Sequence, residues 1–200
     1  NIVGAVVGVQ PFGGEGKSGT GPKAGGPLYL KRLQKNASGA LGGHTVYERQ
    51  APAALESLLV WAKTHGHEKI AIQADHYAHN SPYKISMLLP GPTGEINTLS
   101  FAPRGRIFCA ASTVNCLLNE IAAVLATGNT PVLPAVTMQI LPAGLPNEVR
   151  AKIVSAEADQ ANAQLALIEG NLLTMYKPLF AAQNGAIVSI IEMQEETEAP

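Results

Sequence analysis

The stretch RIFCAASTVNCLLNEIAAVLATGNTPVLPA, residues 106–135, decides the fold. Its first six residues, Arg106 to Ala111, are a largely apolar run of strand length. Ser112 can cap a helix whose Leu117, Leu118, Ile121 and Leu125 form one apolar stripe. Ala-Thr-Gly-Asn-Thr at 126–130 stops that helix, and PVLPA at 131–135 is the next strand. The same alternation continues downstream. A helix is expected around Pro146 to Val154, a strand at QLALIE (164–169), a helix from Leu172 to Gln183 and a strand at AIVSII (186–191). Strands alternating with helices predict an α/β fold built on a Rossmann-like parallel sheet. The end, EMQEETEAP (192–200), is acidic and reads as a solvated tail.

Upstream, ISMLLPGPTGEINTLSFA (85–102) reads as two strands around a Pro/Gly turn. A helix is expected from about Pro52, with Leu55, Leu58, Leu59 and Ala62 on one face and Gly66 at its end. QADHYAHNSPY (73–83) reads as a polar loop. Its His76 and His79 are taken as surface residues, because Asn80, Ser81 and Pro82 break the segment before two imidazoles could converge on a metal. Residues 34–50, with Asn36, Gly39, Gly42 and Gly43, read as a connection, and residues 1–34 as a strand, a glycine-rich loop and an extended PLYLKRL. The expected division is therefore 1–34, a connecting segment 35–84 with one helix, an α/β domain 85–191 and a tail 192–200.

The glycine loop PFGGEGKSGTGPKAGG (11–26) contains a literal G-x-G-x-x-G at Gly14, Gly16 and Gly19 and the GKS half of a P-loop. Neither reading fits the physics. A P-loop needs a glycine where Pro11 stands, and proline has a locked φ and no N–H. Both motifs need a helix directly after the glycines, whose free N–H groups hold the phosphates. Here Thr20 to Pro27 carries three glycines and two prolines, so a tight loop is expected instead.

Composition narrows the function class. A 46% hydrophobic chain of 200 residues with 14% charged residues can bury a core, and a formal charge of -1 gives no electrostatic case for nucleic acid or an anionic membrane. No apolar run reaches membrane-spanning length, and the opening NIVGAVVGVQ lacks both a Met and a basic flank, so the chain is read as a piece of a longer protein. Cys109 and Cys116 lack metal-ligand spacing and read as buried thiols of a protein in a reducing cytoplasm.

The sequence P-F-G-G-E-G-K-S-G-T-G at 11–21 resembles the P-F-G-G-x-x-x-S-G-x-G signature of aldehyde dehydrogenases. More narrowly, GAVVGVQPFGGEGKSGTGPKAGGPLYLKRL (4–33) resembles the end of a glutamate-semialdehyde (1-pyrroline-5-carboxylate) dehydrogenase domain. GPTGEINTLSFAPRGRIFC (91–109) resembles the C-terminal region of the proline utilization A family, bacterial enzymes fusing proline dehydrogenase to that aldehyde dehydrogenase. The resemblance implies that Gly4 and Ala5 anchor the substrate carboxylate through backbone N–H groups, with Phe12 as the apolar wall of the aldehyde site.

Residues 103–135 also resemble the start of an aldehyde dehydrogenase cofactor domain, which runs P-x-G, strand, helix, G-N-T-V-V-L-K-P. The lysine of that motif falls on Pro134 and its proline on Ala135, and the T-G-S turn near the nicotinamide is matched only by IEGN at 168–171. The resemblance thus implies a non-catalytic relative of that domain, covering the aldehyde site and the channel between two active centres. NAD and FAD would serve the parent protein, with no cofactor in this segment. The catalytic Cys and general-base Glu would lie upstream of residue 1. The implied partners are the upstream domains of the same polypeptide and, in the parent, glutamate semialdehyde. A homo-oligomer stays open. The alternative is an independent NAD-binding or protein-interaction module.

Overall fold

The computed structural model describes residues 12–14, 23–24, 26, 28–34 and 51–194. The expected opening strand lies outside the described residues. Two compact units emerge, residues 1–49 with 84–101, and residues 50–83 with 102–200.

In the first unit, PLYLKRL is not extended. One helical turn, α1 (Tyr29–Arg32), forms there, entered by Tyr29 N–H donating to Gly26 O at 3.2 Å. The expected hairpin is present: β1 (Ser86–Leu89) pairs antiparallel with β2 (Asn97–Ser100), Met87 opposite Leu99. Alternation buries Met87 and Leu89 and leaves Leu88 outward.

The second unit begins with two helices where one was expected, α2 (Ala53–Thr64) and α3 (Glu68–Asn80). Gly66, at φ +75°, makes the left-handed turn that ends α2, and His67 N–H reaches back to Ala62 O at 3.0 Å. The segment read as a polar loop is helical because Ile70, Ala71 and Ala74 form a narrow buried stripe. Ser81 stops α3 and donates its hydroxyl to Ala126 O at 2.5 Å. These helices share a core with the sheet. The helices group with the sheet, and the hairpin groups with the first unit.

The rest follows the expected alternation with two additions that were not expected, the turn α5 and the short strand β5: β3 (Arg106–Ala110), α4 (Val114–Ala126), β4 (Thr130–Leu133), α5 (Ala135–Met138), a turn α6 (Asn147–Arg150), β5 (Val154–Ser155), β6 (Leu165–Glu169), α7 (Leu173–Ala181) and β7 (Ser189–Met193). The helix expected over 146–154 is one turn long. Its end winds out through i→i−3 bonds, Lys152 N–H to Val149 O and Ile153 N–H to Arg150 O, while the Arg150 guanidinium folds back onto Pro142 O and Ala143 O.

All five strands of the sheet are parallel, in the order β5-β4-β3-β6-β7. Central β3 sorts its side chains by the pleat. Ile107, Cys109 and Ala111 face a core built with α2, α3 and α4. Phe108 and Ala110 face a second core, where Phe108 meets Tyr176 and Phe180 of α7 edge-on at 5.1 and 5.2 Å. The chain leaves β3 through α4 toward β4, then returns to lay β6 on the other side of β3. The strand order therefore reverses between β3 and β6, and in such sheets ligands bind outside the strands' carboxyl ends at that reversal.

At the opposite end of α4, Gly128 has φ +71° and a Cβ there would sit 2.2 Å from Tyr83 Cε2. Gly128→Ala is expected to lower unfolding stability by about 2 kcal/mol, half from the left-handed backbone and half from the displaced ring. A Gly128→Ala/Tyr83→Ala protein, compared with Tyr83→Ala alone in urea melts, should recover the steric half only.

Candidate functional site: a carboxylate-closed crevice

The reversal point is built from two turns. After β3 the chain runs through Ala111, Ser112 and Thr113 into α4, and after β6 it runs through Glu169 into a 3-10 turn, Gly170–Leu172, ahead of α7. Thr113, not Ser112, is the N-cap of α4, its Oγ1 accepting from Cys116 N–H at 3.3 Å.

Ser112 is used differently. Glu169 Oε2 accepts from Ser112 N–H at 2.5 Å, Ser112 Oγ at 2.8 Å and Thr113 N–H at 3.2 Å, while Oε1 accepts from Thr113 Oγ1 at 3.1 Å. Asn171 Nδ2 donates to Ser112 Oγ at 2.9 Å, so that hydroxyl accepts from one side and donates to the other. Glu169 is only 6% exposed. Burial alone would push its carboxyl up, but the four bonds from Ser112 and Thr113 together outweigh burial and hold it below its ordinary range. A full negative charge therefore stands where the start of α4 presents its N–H groups.

The neighbouring turn repeats the device. Ala135 N–H, following β4, donates to Glu157 Oε1 at 2.9 Å. Pro134, which replaces the cofactor-gripping lysine of the resemblance, is the N-cap of α5 and brings neither a cation nor an N–H. At the end of β6, a Cβ on Gly170 would lie 2.9 Å from Glu192 Oε1. Three carboxylates thus occupy the carboxyl ends of the sheet, and no hydrogen bond described for them comes from a lysine or arginine. At these turns the N–H groups of Ser112, Thr113 and Ala135 thus go to the chain's own carboxylates.

The other sequence candidates fall away from this crevice. Cys109 and Cys116 are buried at 0% and 3% exposure. Burial first, then Glu120 and Cys116, push the Cys109 thiol well up, which removes the thiolate needed for nucleophilic work. Glu120, on α4, is wholly buried and its Oε2 has no hydrogen-bond partner among the described residues. Burial, reinforced by the Glu169 charge, pushes its carboxyl up to about 9 against a partial opposing bond from Cys116 Sγ–H. His76 and His79 sit on α3 rather than in a loop. His79 Nδ1 lies 2.8 Å from Asp75 O, and among the described residues no group of three His, Cys, Asp or Glu side chains could hold a metal.

Gly4 and Ala5 lie outside the described residues. Phe12 is described, 45% exposed and bridged to Ala24 through reciprocal backbone bonds of 3.1 and 2.9 Å. Lys23 Nζ donates to the carbonyls of Gly13 and Gly14. At these two glycines the loop turns carbonyl oxygens toward a cation, the opposite polarity to a phosphate cradle. Sequence reasoning matched IEGN to a cofactor turn but missed that its Glu169 bonds to Ser112 and Thr113. An acidic residue ending one strand, opposite Ser-Thr opening the helix after the neighbouring strand, was the available signal.

These features define a doubly wound α/β domain that sets its own Glu169 carboxylate on Ser112 and Thr113 at the strand-order reversal. The chain belongs with the PutA proteins. It is 42% identical over 208 residues to the bifunctional protein PutA of Klebsiella aerogenes and 39% identical over 207 residues to that of Escherichia coli K12, each match covering 95% of this chain. It spans 16% of the length of these relatives. A solved structure of proline utilization A with proline bound in remote sites superposes on 71% of this chain and 19% of that chain, with a TM-score of 0.52 at 20% identity, and shows the shared fold. No family model matches the chain. Among the described residues no helix is long and apolar enough to cross a membrane.

Proposed function

We propose that this chain is a non-catalytic segment of a bifunctional proline-catabolic enzyme, which oxidises proline with FAD and glutamate semialdehyde with NAD. It would belong to the C-terminal part of that enzyme and cover the aldehyde site and the channel between its two centres. The observation that carries this reading is the Glu169 carboxylate bonded to Ser112 and Thr113 at the strand-order reversal, together with Pro134 where a cofactor-binding lysine would stand. Cys109, buried and held as a thiol, supplies no nucleophile. The chain incubated with NAD and glutamate semialdehyde should therefore produce no NADH above background, and turnover by clean protein would refute the reading.

In the whole enzyme, Gly4 and Ala5 would hold the semialdehyde carboxylate by backbone N–H groups, with Phe12 flanking the aldehyde. Ala5→Val should raise KM for glutamate semialdehyde about tenfold with little change in kcat, and leave an aliphatic aldehyde without a carboxylate nearly unaffected. Equal losses on both substrates would contradict the anchor.

A further inference from the structure

We infer that Lys23 is a positioning residue for the aldehyde site, clipping from behind the loop whose front carries Phe12. The role rests on the proposed function, in which Phe12 flanks the aldehyde, and adds to it a residue that holds the ring in place without touching substrate.

Phe12 and Ala24 exchange both backbone bonds, at 3.1 and 2.9 Å, so they are a hydrogen-bonded antiparallel pair whose side chains share one face. One step along, the same register sets Lys23 across from Gly13 on the opposite face. The contact there agrees. A Cβ on Gly13 would lie 3.3 Å from Lys23 Cδ, so the lysine stem fills the place of the side chain that Gly13 lacks. From that position Nζ donates to Gly13 O at 3.3 Å and to Gly14 O. Consecutive carbonyls of an extended strand point to opposite sides, so two of them meeting one ammonium require the chain to turn directly after Phe12. The backbone of Phe12 is thus held by Ala24 on one side and by a turn that Lys23 locks on the other. Lys23 is itself tied down, its carbonyl accepting from Gly26 N–H at 3.2 Å just ahead of α1. The Phe12 side chain is exposed, so its direction depends on this backbone more than on packing.

Steady-state kinetics of the whole enzyme, with glutamate semialdehyde and with an aliphatic aldehyde lacking a carboxylate, test it. Lys23→Met keeps the stem and removes the donors. It should raise KM about fivefold for both aldehydes, with kcat within about twofold, unlike the carboxylate-selective loss expected of Ala5→Val. Lys23→Arg, which can still donate to both carbonyls, should bring KM back to within about twofold of wild type. Because Lys23 acts through Phe12, the double variant Phe12→Ala/Lys23→Met should be no weaker than Phe12→Ala alone. Proline oxidation, assayed on the same preparations, should be unchanged in Lys23→Met. A Lys23→Met enzyme with wild-type KM, a Lys23→Arg enzyme as poor as Lys23→Met, a double variant weaker than Phe12→Ala, or loss of proline oxidation with Lys23→Met would each overturn the role and leave the proposed function standing. A wild-type enzyme inert toward both aldehydes would refute that function and this role together.

Discussion

Replacing Glu169 by alanine is expected to lower the stability of the sheet domain by about 3–4 kcal/mol near neutral pH. The carboxylate accepts four hydrogen bonds at the ends of β3 and β6. Bonds to a charged group contribute about 1.5–3 kcal/mol each but are far from additive when they share one acceptor. Glu169→Gln keeps one carbonyl oxygen for these donors and should lose about half as much. The effect has a defined pH sense. The folded carboxyl titrates below its ordinary 4.5, so its contribution is complete above that value and disappears as pH falls through the folded pKa. The gap between wild type and Glu169→Ala, followed by urea unfolding, should be constant from pH 6 to 8 and close in acid. A gap that widened on acidification would contradict the depressed carboxyl.

Glu120 is expected to act in the opposite sense. Its carboxyl is raised from 4.5 to about 9, so between those values the folded chain holds a proton that the unfolded chain has released. The Glu120 contribution should therefore fall by about 1.4 kcal/mol per pH unit across that window, full below pH 4.5 and levelling near 9. Glu120→Leu replaces a buried acid lacking one hydrogen-bond partner with an apolar side chain of similar size. It should stabilise the chain by about 3 kcal/mol at pH 7 and flatten the pH dependence between 5 and 9. The two acids are coupled, because the Glu169 charge is one cause of the Glu120 shift. The double variant Glu169→Ala/Glu120→Leu should accordingly deviate from the sum of the singles. Destabilisation of Glu120→Leu at pH 7 would contradict the account of this residue.

Strands β3, β4, β6 and β7 were legible because each includes an apolar run bounded by turn residues, and α4 carries its stripe on a strongly apolar background, whereas the two-residue β5 leaves no such signal. Helix α3 was not, since its sequence is polar on average and its burial rests on Ile70 and two alanines. Alanine marks a helix face only when a neighbour packs on it. The helix expected at 146–154 failed because the arginine that closes it bonds to carbonyls eight and seven residues back, a contact that no local pattern announces. The crevice was half legible. Pro134 told that the cofactor's cation was missing, but Glu169 and Ser112 are 57 residues apart, and only the pairing of β3 with β6 brings them together. The buried Glu120 lies beside the apolar stripe of Leu117, Leu118, Ile121 and Leu125, and the sequence reading did not single it out.

The proposal that this α/β domain holds no dinucleotide at its strand-order reversal meets its most direct test in isothermal titration of the chain with NAD at pH 7.5. The account predicts no binding tighter than about 1 mM, roughly -4 kcal/mol. A dissociation constant in the micromolar range would contradict it, since it would require the N–H groups of Ser112 and Thr113 to serve a phosphate rather than Glu169.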